Sequence, residues 1–489
     1  MQSTLYILLG AGLYVGILIF LGYRASKKVK GSTDFIVAGR KLPLLLCTFT
    51  IFANWFGPGT CIGAAGKAYE KGFLGVISTP FGSALCLLLA AIFFIRFLRR
   101  MKLLTVPDFF KRRYSETLGV LASVFMIPAY IGWTGSTLVA FGFILHTVTG
   151  ISSPVCIMIG ASIVLTYTIL GGMWAASMTD FVQALILIGG LILLVPFALG
   201  DIGGWDGLFQ KVPKSYFAII PLQNTLADWM WYIEALLIIA IGNIPAQDLL
   251  QKAFSAKSER VAQWSTYFSS ILYISIAMIP VFLGIIGSSV MPEIDNSEYI
   301  LPALGLKYLN PILIVFFIGA LFAALLSSAS GGLLAASSVF SANVLSKIKR
   351  DMTGKQELNA VRYSVPVFGI IGLMVALYFQ NVFDLMVSSF GIIFVGLFVP
   401  LAAGVYWKKA NTTAALASML TGAIGWIVLA NIQDTYPGDL IAFALSIIVF
   451  IVVAQTTYKK TPPVALVDED GEVIPYKDRL GVLGLLKKD

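Results

Sequence analysis

The sequence predicts an all-α polytopic membrane protein of about thirteen transmembrane helices, ten of them arranged as two five-helix halves of opposite orientation. Three observations lead there. Of 489 residues 58% are hydrophobic and only 12% charged, and apolar stretches of 18 or more residues recur along the chain, each long enough to cross a bilayer as a helix. The basic residues between these stretches fall almost entirely on one side of the membrane. Two of the stretches, five spans apart, are interrupted by glycine and proline at similar depth.

The first stretch, Thr4 to Leu21, has no basic residue before it and is followed by "YRASKKVKG", the reverse of a cleavable secretory signal. It reads as a retained leading helix with its N-terminus outside. The spans that follow are expected at 43–66, 74–98, 118–147, 153–171, 177–199, 228–251, 262–290, 311–345, 360–379, 382–404, 411–431 and 437–457, after a first at 3–23. With that orientation, every Lys and Arg except Lys67, Lys71, Lys211, Lys214 and Lys307 falls on the inner side, Lys252 among them in the loop after the seventh span. The net charge of +9 is therefore a topology signal, spread over short loops rather than stacked on one face as nucleic-acid binding requires. The C-terminus is cytoplasmic, and the locale is the plasma or inner membrane. Cys47, Cys61, Cys86 and Cys156 lie in apolar segments without metal-ligand spacing and read as small packing residues.

The second span contains "FANWFGPGTCIG", with Gly57, Pro58 and Gly59 in mid-membrane, and the seventh contains "IAIGNIPAQDLL", with Gly242 and Pro245. Such residues release backbone groups that protein, water or a bound solute must satisfy, so unwound helices at the midplane line a site unless both are incidental kinks. A corresponding pair points to an inverted-repeat secondary transporter. The chain then divides into 1–42, the leading helix and a basic loop; 43–199 and 228–404, the two repeats; 200–227, an outer loop; 405–458, two trailing helices; and 459–489, a cytoplasmic tail. No P-loop occurs and the inner loops are too short for an ATPase domain, so an ion gradient is the expected energy source. With one histidine and no nucleophile at catalytic distance from a base, an enzyme is not expected.

The ninth span carries "ALLSSASGGLLAASSVF", uncharged yet holding five serines. Ser327 and Ser328 lie one turn after Ala324 on the same side of the helix. A sodium ion takes about five hard oxygen donors, and neutral hydroxyls with freed carbonyls near Ala53 and Phe56 supply them without burying a formal charge. The alternative is a serine bonded to the carbonyl one turn back, or close helix packing, which is the reading preferred for Ser337 and Ser338.

"YTILGGMWAASMTDFVQ", 167–183, together with "ALLSSAS", resembles the sodium:solute symporter family over roughly residues 5–430. The resemblance implies a leucine-transporter-like five-plus-five core with one leading and two trailing helices. It also implies a sodium site made by the carbonyls of Ala53, Phe56 and Ala324 with the hydroxyls of Ser327 and Ser328. Asp180 matches the family's "TD" aspartate, which implies a role in sodium exit or a second ion; capping its helix at the membrane surface is the alternative. Members with a second sodium have hydroxyls at the positions of Ser330 and Gly331, and Gly331 supplies none.

Within the family, "GNIPAQDLLQKAFSAKSERVAQ" is most similar to the high-affinity choline transporter branch. A quaternary ammonium is held by aromatic faces, and Trp55 and Trp133 match cage tryptophans of that branch. Its third cage tryptophan is Ala246 here and a cage tyrosine is Ser83. The resemblance thus implies an organic cation or zwitterion such as choline or betaine. The alternative is an amino acid such as proline, or another neutral solute, with Asn243, Gln247 and Ser83 supplying hydrogen bonds; a sensor or channel-like protein of the same fold is the third. Asp248, which has no acidic counterpart in that branch, pairs either a cationic solute or Lys252 one turn on. Glu234 is an outer-end acid, either an attractor of cations or a surface residue, and His146 reads as interfacial rather than as a proton relay. Trp174, Trp229, Trp231 and Trp407 read as belt residues.

Overall fold

A computed structural model describes residues 31–349, 352–432, 435–468, 470–476 and Arg479, with a few positions of the first apolar segment. The leading helix expected at 3–23 lies for the most part outside these residues. The main helices are α1 (Ser32–Val37), α2 (Leu44–Trp55), α3 (Ala64–Lys71), α4 (Ser83–Phe93), α5 (Pro107–Arg113), α6 (Glu116–Thr149), α7 (Ser153–Ile202), α8 (Gly204–Lys211), α9 (Leu226–Ala240), α10 (Gln247–Phe254), α11 (Glu259–Val290), α12 (Ile300–Tyr308), α13 (Pro311–Val339), α14 (Gly354–Phe379), α15 (Phe383–Tyr406), α16 (Thr412–Ile432) and α17 (Gly438–Thr457). Among the described residues, nine helical stretches are long and apolar enough to cross a membrane, and Leu44–Trp55 and Ser153–Ile169 are shorter apolar helices.

Local chemistry sets the long helices. The Ser115 side chain accepts the Leu118 amide to start α6, and Gly150, left-handed at φ 72°, ends it. Asn310 accepts the amides of Ile312 and Leu313 ahead of Pro311, opening α13. α7 runs through two expected spans and breaks between them at Gly172, φ 60° and ψ −176°, where a Cβ would lie 2.6 Å from the Phe35 ring. Only glycine meets both demands.

α13 is the axis of the molecule. Its residues from Phe317 to Val339 are all buried, and it packs against α2, α6, α7, α10 and α14. A helix apolar all round belongs in a core rather than at a lipid boundary, and its alanines, serines and glycines let neighbouring backbones come close. α16 and α17 pair with one another and lean on α15, with much of their surface facing outward.

At one end of the bundle, basic residues and the segment after α17 are tied to backbone carbonyls. α1 inserts Phe35, Ile36 and Val37 into the core. The Leu42 amide donates to the Ser255 carbonyl and the Lys257 amide to the Leu42 carbonyl, while Arg99 donates to the Ala256 carbonyl at 2.7 and 3.0 Å. Arg113 donates to the carbonyls of Gly404 and Val464, and Arg479 to those of Val405 and Ile474, so the segment after α17 docks on the C-terminal end of α15. The backbone carbonyls left over at helix ends attract these guanidinium groups.

At the other end of the bundle Glu298 ties the segment before α12 to the start of α15. Its carboxylate accepts the Val382 and Phe383 amides at 3.0 and 2.8 Å, the unsatisfied donors at the start of α15. Burial, opposed by those two amides, lifts this carboxyl from its usual 4.5 to about 7. The native chain thus takes up a proton more readily than the unfolded one, and the resulting stabilisation is complete below the unfolded value and lost as pH rises through about 7. Glu298→Gln fixes the neutral form. In thermal unfolding of the detergent-solubilised protein it is expected to flatten the fall in midpoint between about pH 5 and 8; an unchanged slope refutes this assignment.

Candidate functional site

The two interrupted spans meet α13 at the centre. α2 ends at Trp55 and Phe56 leaves helical geometry at ψ 59°; a π-helical turn, Gly59–Gly63, then leads into α3. Pro58 has no N–H to give the Asn54 carbonyl one turn back, which interrupts the helical ladder at the break. In the second break, α9 ends at Ala240, turns occupy 241–245, and α10 restarts at Gln247. The serine-rich stretch of α13 passes both: a Cβ on Gly57 would lie 2.3 Å from Ser328 Oγ. Trp55 and Trp133 are each 5% exposed, so the breaks are enclosed.

Asp180 organises the first cluster. It lies two turns into the second half of α7, fully buried, so it is no cap at the membrane surface. Ser327 donates to Oδ1 at 2.6 Å, and Thr50 and Lys252 donate to Oδ2 at 3.0 and 3.1 Å. Lys252 is the main departure from the sequence reading: it belongs to the interior, ion-paired with Asp180, and not to an inner loop or to Asp248. A four-residue step along α10 permits the Asp248 pairing, but a long side chain reaches across to α7, which sequence spacing does not register.

Asp248 forms the second cluster. Tyr130 donates to its Oδ1 at 2.8 Å and the Asn54 amide to its Oδ2 at 2.9 Å, tying α10 to α6 and α2. The Asn54 side chain lies in the space a residue with a Cβ would need at 331, since that atom would come 1.6 Å from Asn54 Oδ1. Ser330 donates to the Ser327 carbonyl. Asn54, Thr50 and Tyr130 were not singled out by sequence, and Lys252 was, but as an inner-side cation or a partner of Asp248. Asn54 and Thr50 precede the first break at intervals of four and eight residues from Pro58, a polar stripe on an otherwise apolar helix and the signal that was available.

Ser328 accepts the Trp133 indole N–H at 2.9 Å, and the Trp133 ring packs edge-on against Phe390 at 5.0 Å. Ser83 turns to Thr79 at 3.1 Å, within a hydroxyl cluster of Thr60, Thr79 and Tyr273. Gln247 accepts the Val106 amide through Oε1 at 2.7 Å, which fastens it to the start of α5. Ala246 is buried and presents only its methyl group. Of the buried polar atoms without a partner among the described residues, Trp55 Nε1, Asn54 Oδ1, Asn243 Oδ1 and Gln247 Nε2 all belong to the two breaks. Of the serines read as packing residues, Ser338 accepts from Gln251 and Ser337 Oγ has no partner. His146 meets the Ile151 carbonyl at a helix end.

The model of the sodium:solute symporter family matches residues 35–422 of the chain. The chain belongs to the sodium:solute symporter family. This symporter is 29% identical to the human high affinity choline transporter 1 over 80% of its own length and 70% of that relative's. It is 24% identical to the sodium/pantothenate symporter of Haemophilus influenzae, over 83% and 86%. Among solved structures, a substrate-bound, outward-open Na+-coupled sialic acid symporter superposes with a TM-score of 0.80 at 20% identity, covering 94% of this symporter and 98% of that chain. A nucleobase-cation symporter in a closed conformation gives 0.57 at 14%, over 88% and 95%. The fold is leucine-transporter-like, and the protein is a multi-pass, sodium-coupled symporter of a transporter family rather than of an enzyme family.

Lys252 and Asp180 are separable by mutation. Lys252→Met leaves a buried carboxylate without its ammonium and is expected to lower stability by about 3–5 kcal/mol. Adding Asp180→Asn should recover most of it. Thermal unfolding of the two variants checks the pair, and equal midpoints would refute it.

Proposed function

We propose that this symporter imports a small organic cation or zwitterion of the choline and betaine class by alternating access, with its N-terminus outside and its C-terminus in the cytoplasm. Sodium is held by the carbonyls of Ala53, Phe56 and Ala324 and the hydroxyls of Ser327 and Ser328. The solute lies at the two breaks against Trp55 and Trp133. The observation that carries this reading is the enclosure of both tryptophans, Trp55 at the first break and Trp133 bonded to Ser328, since ring faces attract a cation that cannot donate hydrogen bonds. The choline transporters among the relatives support it.

Asp180 serves the departing sodium. Its hydrogen bond from Ser327 places a carboxylate next to one ligand, and Lys252 neutralises that carboxylate when no sodium is there. The repeats at 43–199 and 228–404 are the units that move against each other about the breaks. A second reading, a neutral solute or an amino acid such as proline, draws on the orphaned Asn243 Oδ1 and Gln247 Nε2 and on the methyl of Ala246 where a third ring would complete a cage.

Uptake into liposomes under an inward sodium gradient tests both readings, with labelled choline, betaine and proline, a hexose, and potassium in place of sodium. Sodium-driven choline or betaine accumulation is expected, lost in Ser328→Ala. Trp55→Ala should weaken either of these two solutes by about tenfold. Accumulation of proline or the hexose alone overturns the solute class, and unchanged sodium dependence in Ser328→Ala overturns the ion site.

A further inference from the structure

We infer that Trp133 is the element through which the sodium and solute sites are coupled, its indole N–H limiting the directions from which the Ser328 hydroxyl presents a lone pair to sodium. The inference rests on the proposed placement of sodium and solute and specifies what joins them.

Trp133 touches both sites at once. Its Nε1 donates to Ser328 Oγ at 2.9 Å, and its ring stands edge-on to Phe390 at 5.0 Å and 89°. Phe390 in turn meets the Tyr130 ring edge-on at 6.1 Å, and Tyr130 donates to Asp248 at the second break. On the opposite side, glycines make room: a Cβ on Gly57 would lie 2.3 Å from Ser328 Oγ and 3.4 Å from Trp133 Cζ2, and one on Gly332 would lie 3.2 Å from Trp133 Cδ1. The indole is therefore wedged between the first break, α13 and α15, with its one polar atom on the candidate sodium ligand.

A serine hydroxyl has two lone pairs and one rotatable proton. When the indole N–H takes one lone pair, the hydroxyl proton is excluded from that direction and shares the two that remain with the second lone pair. Ser328 then offers sodium a lone pair from two directions rather than three. A solute packed on the Trp133 face adds its contacts to those of Gly57, Gly332 and Phe390, and so holds the ring, and through it the ligand, more firmly than those contacts do by themselves. Preorganising a ligand raises affinity by removing the cost of ordering it on binding. By linkage, sodium bound at Ser328 fixes the ring for the solute by the same factor.

The test is the ratio of solute affinities measured with saturating sodium and with potassium, on purified protein in detergent, using the solute that liposome uptake identifies. The ratio cancels any direct effect of a changed ring on the solute. Trp133→Phe keeps an aromatic face and deletes the N–H, and the ratio is expected to fall by about threefold or more. Ser328→Ala lowers it too, and the double variant should match Ser328→Ala alone, because both substitutions remove one hydrogen bond. Gly332→Ala, which pushes the indole by a few tenths of an ångström, should lower the ratio by an independent route and serves if Trp133→Phe does not fold. An unchanged ratio in the variants that fold, or effects of Trp133→Phe and Ser328→Ala that multiply in the double variant, overturns the inference. Transport of none of the tested solutes would instead overturn the proposed function.

Discussion

A peptide group released from a helix in mid-membrane has no water to turn to, and the core of this protein is arranged around that constraint. Two helices are broken where lipid would make the break costly. The solution is to set both breaks against one helix, α13, buried from Phe317 to Val339, whose alanines, serines and glycines bring hydroxyls and backbone within reach. Tyr130, itself buried, contributes a hydroxyl that accepts the Asp248 amide at the start of α10 while donating to the same residue's carboxylate. The breaks are thus stabilised as a group, and neither broken helix would be stable in lipid by itself.

Charge follows the same logic. Lys252 and Asp180 are both withdrawn from water, and their attraction offsets desolvation only because Thr50 and Ser327 satisfy the rest of the carboxylate. Asp248 is met by neutral donors from α6 and α2 instead. The core therefore separates its two carboxylates by environment: one faces an ammonium, the other hydroxyl and amide donors.

The sequence announced the helices because their signal is one-dimensional: apolar length, loop charge and helix-breaking residues are all read along the chain. The breaks at Gly57–Pro58 and at Gly242–Pro245, and the serines of the ninth span, were legible for that reason. What escaped was the reach of long side chains across helices. Lys252 was read as a loop cation because it follows a span boundary, and its partner lies 72 residues away. Ser83 and Gln247, expected as solute contacts, also engage Thr79 and the Val106 amide, and Gln247 Nε2 keeps no partner among the described residues. Asn54 drew no notice, although Gly331, noted for its missing hydroxyl, is the residue that makes room for it.

The docking of the segment beyond α17 bears on how the chain is made. The carbonyls of Gly404 and Val405, close to the C-terminal end of α15, are engaged by Arg113 from an early segment and by Arg479 from a late one. During synthesis the first of these guanidinium groups is in place long before the helix it serves, and the second arrives some seventy residues after it. The C-terminal end of α15 therefore passes through a stage in which one clasp is present and the other is still on the ribosome. A nascent chain halted after α17 would hold all of these helices while the last of their ends stayed untied.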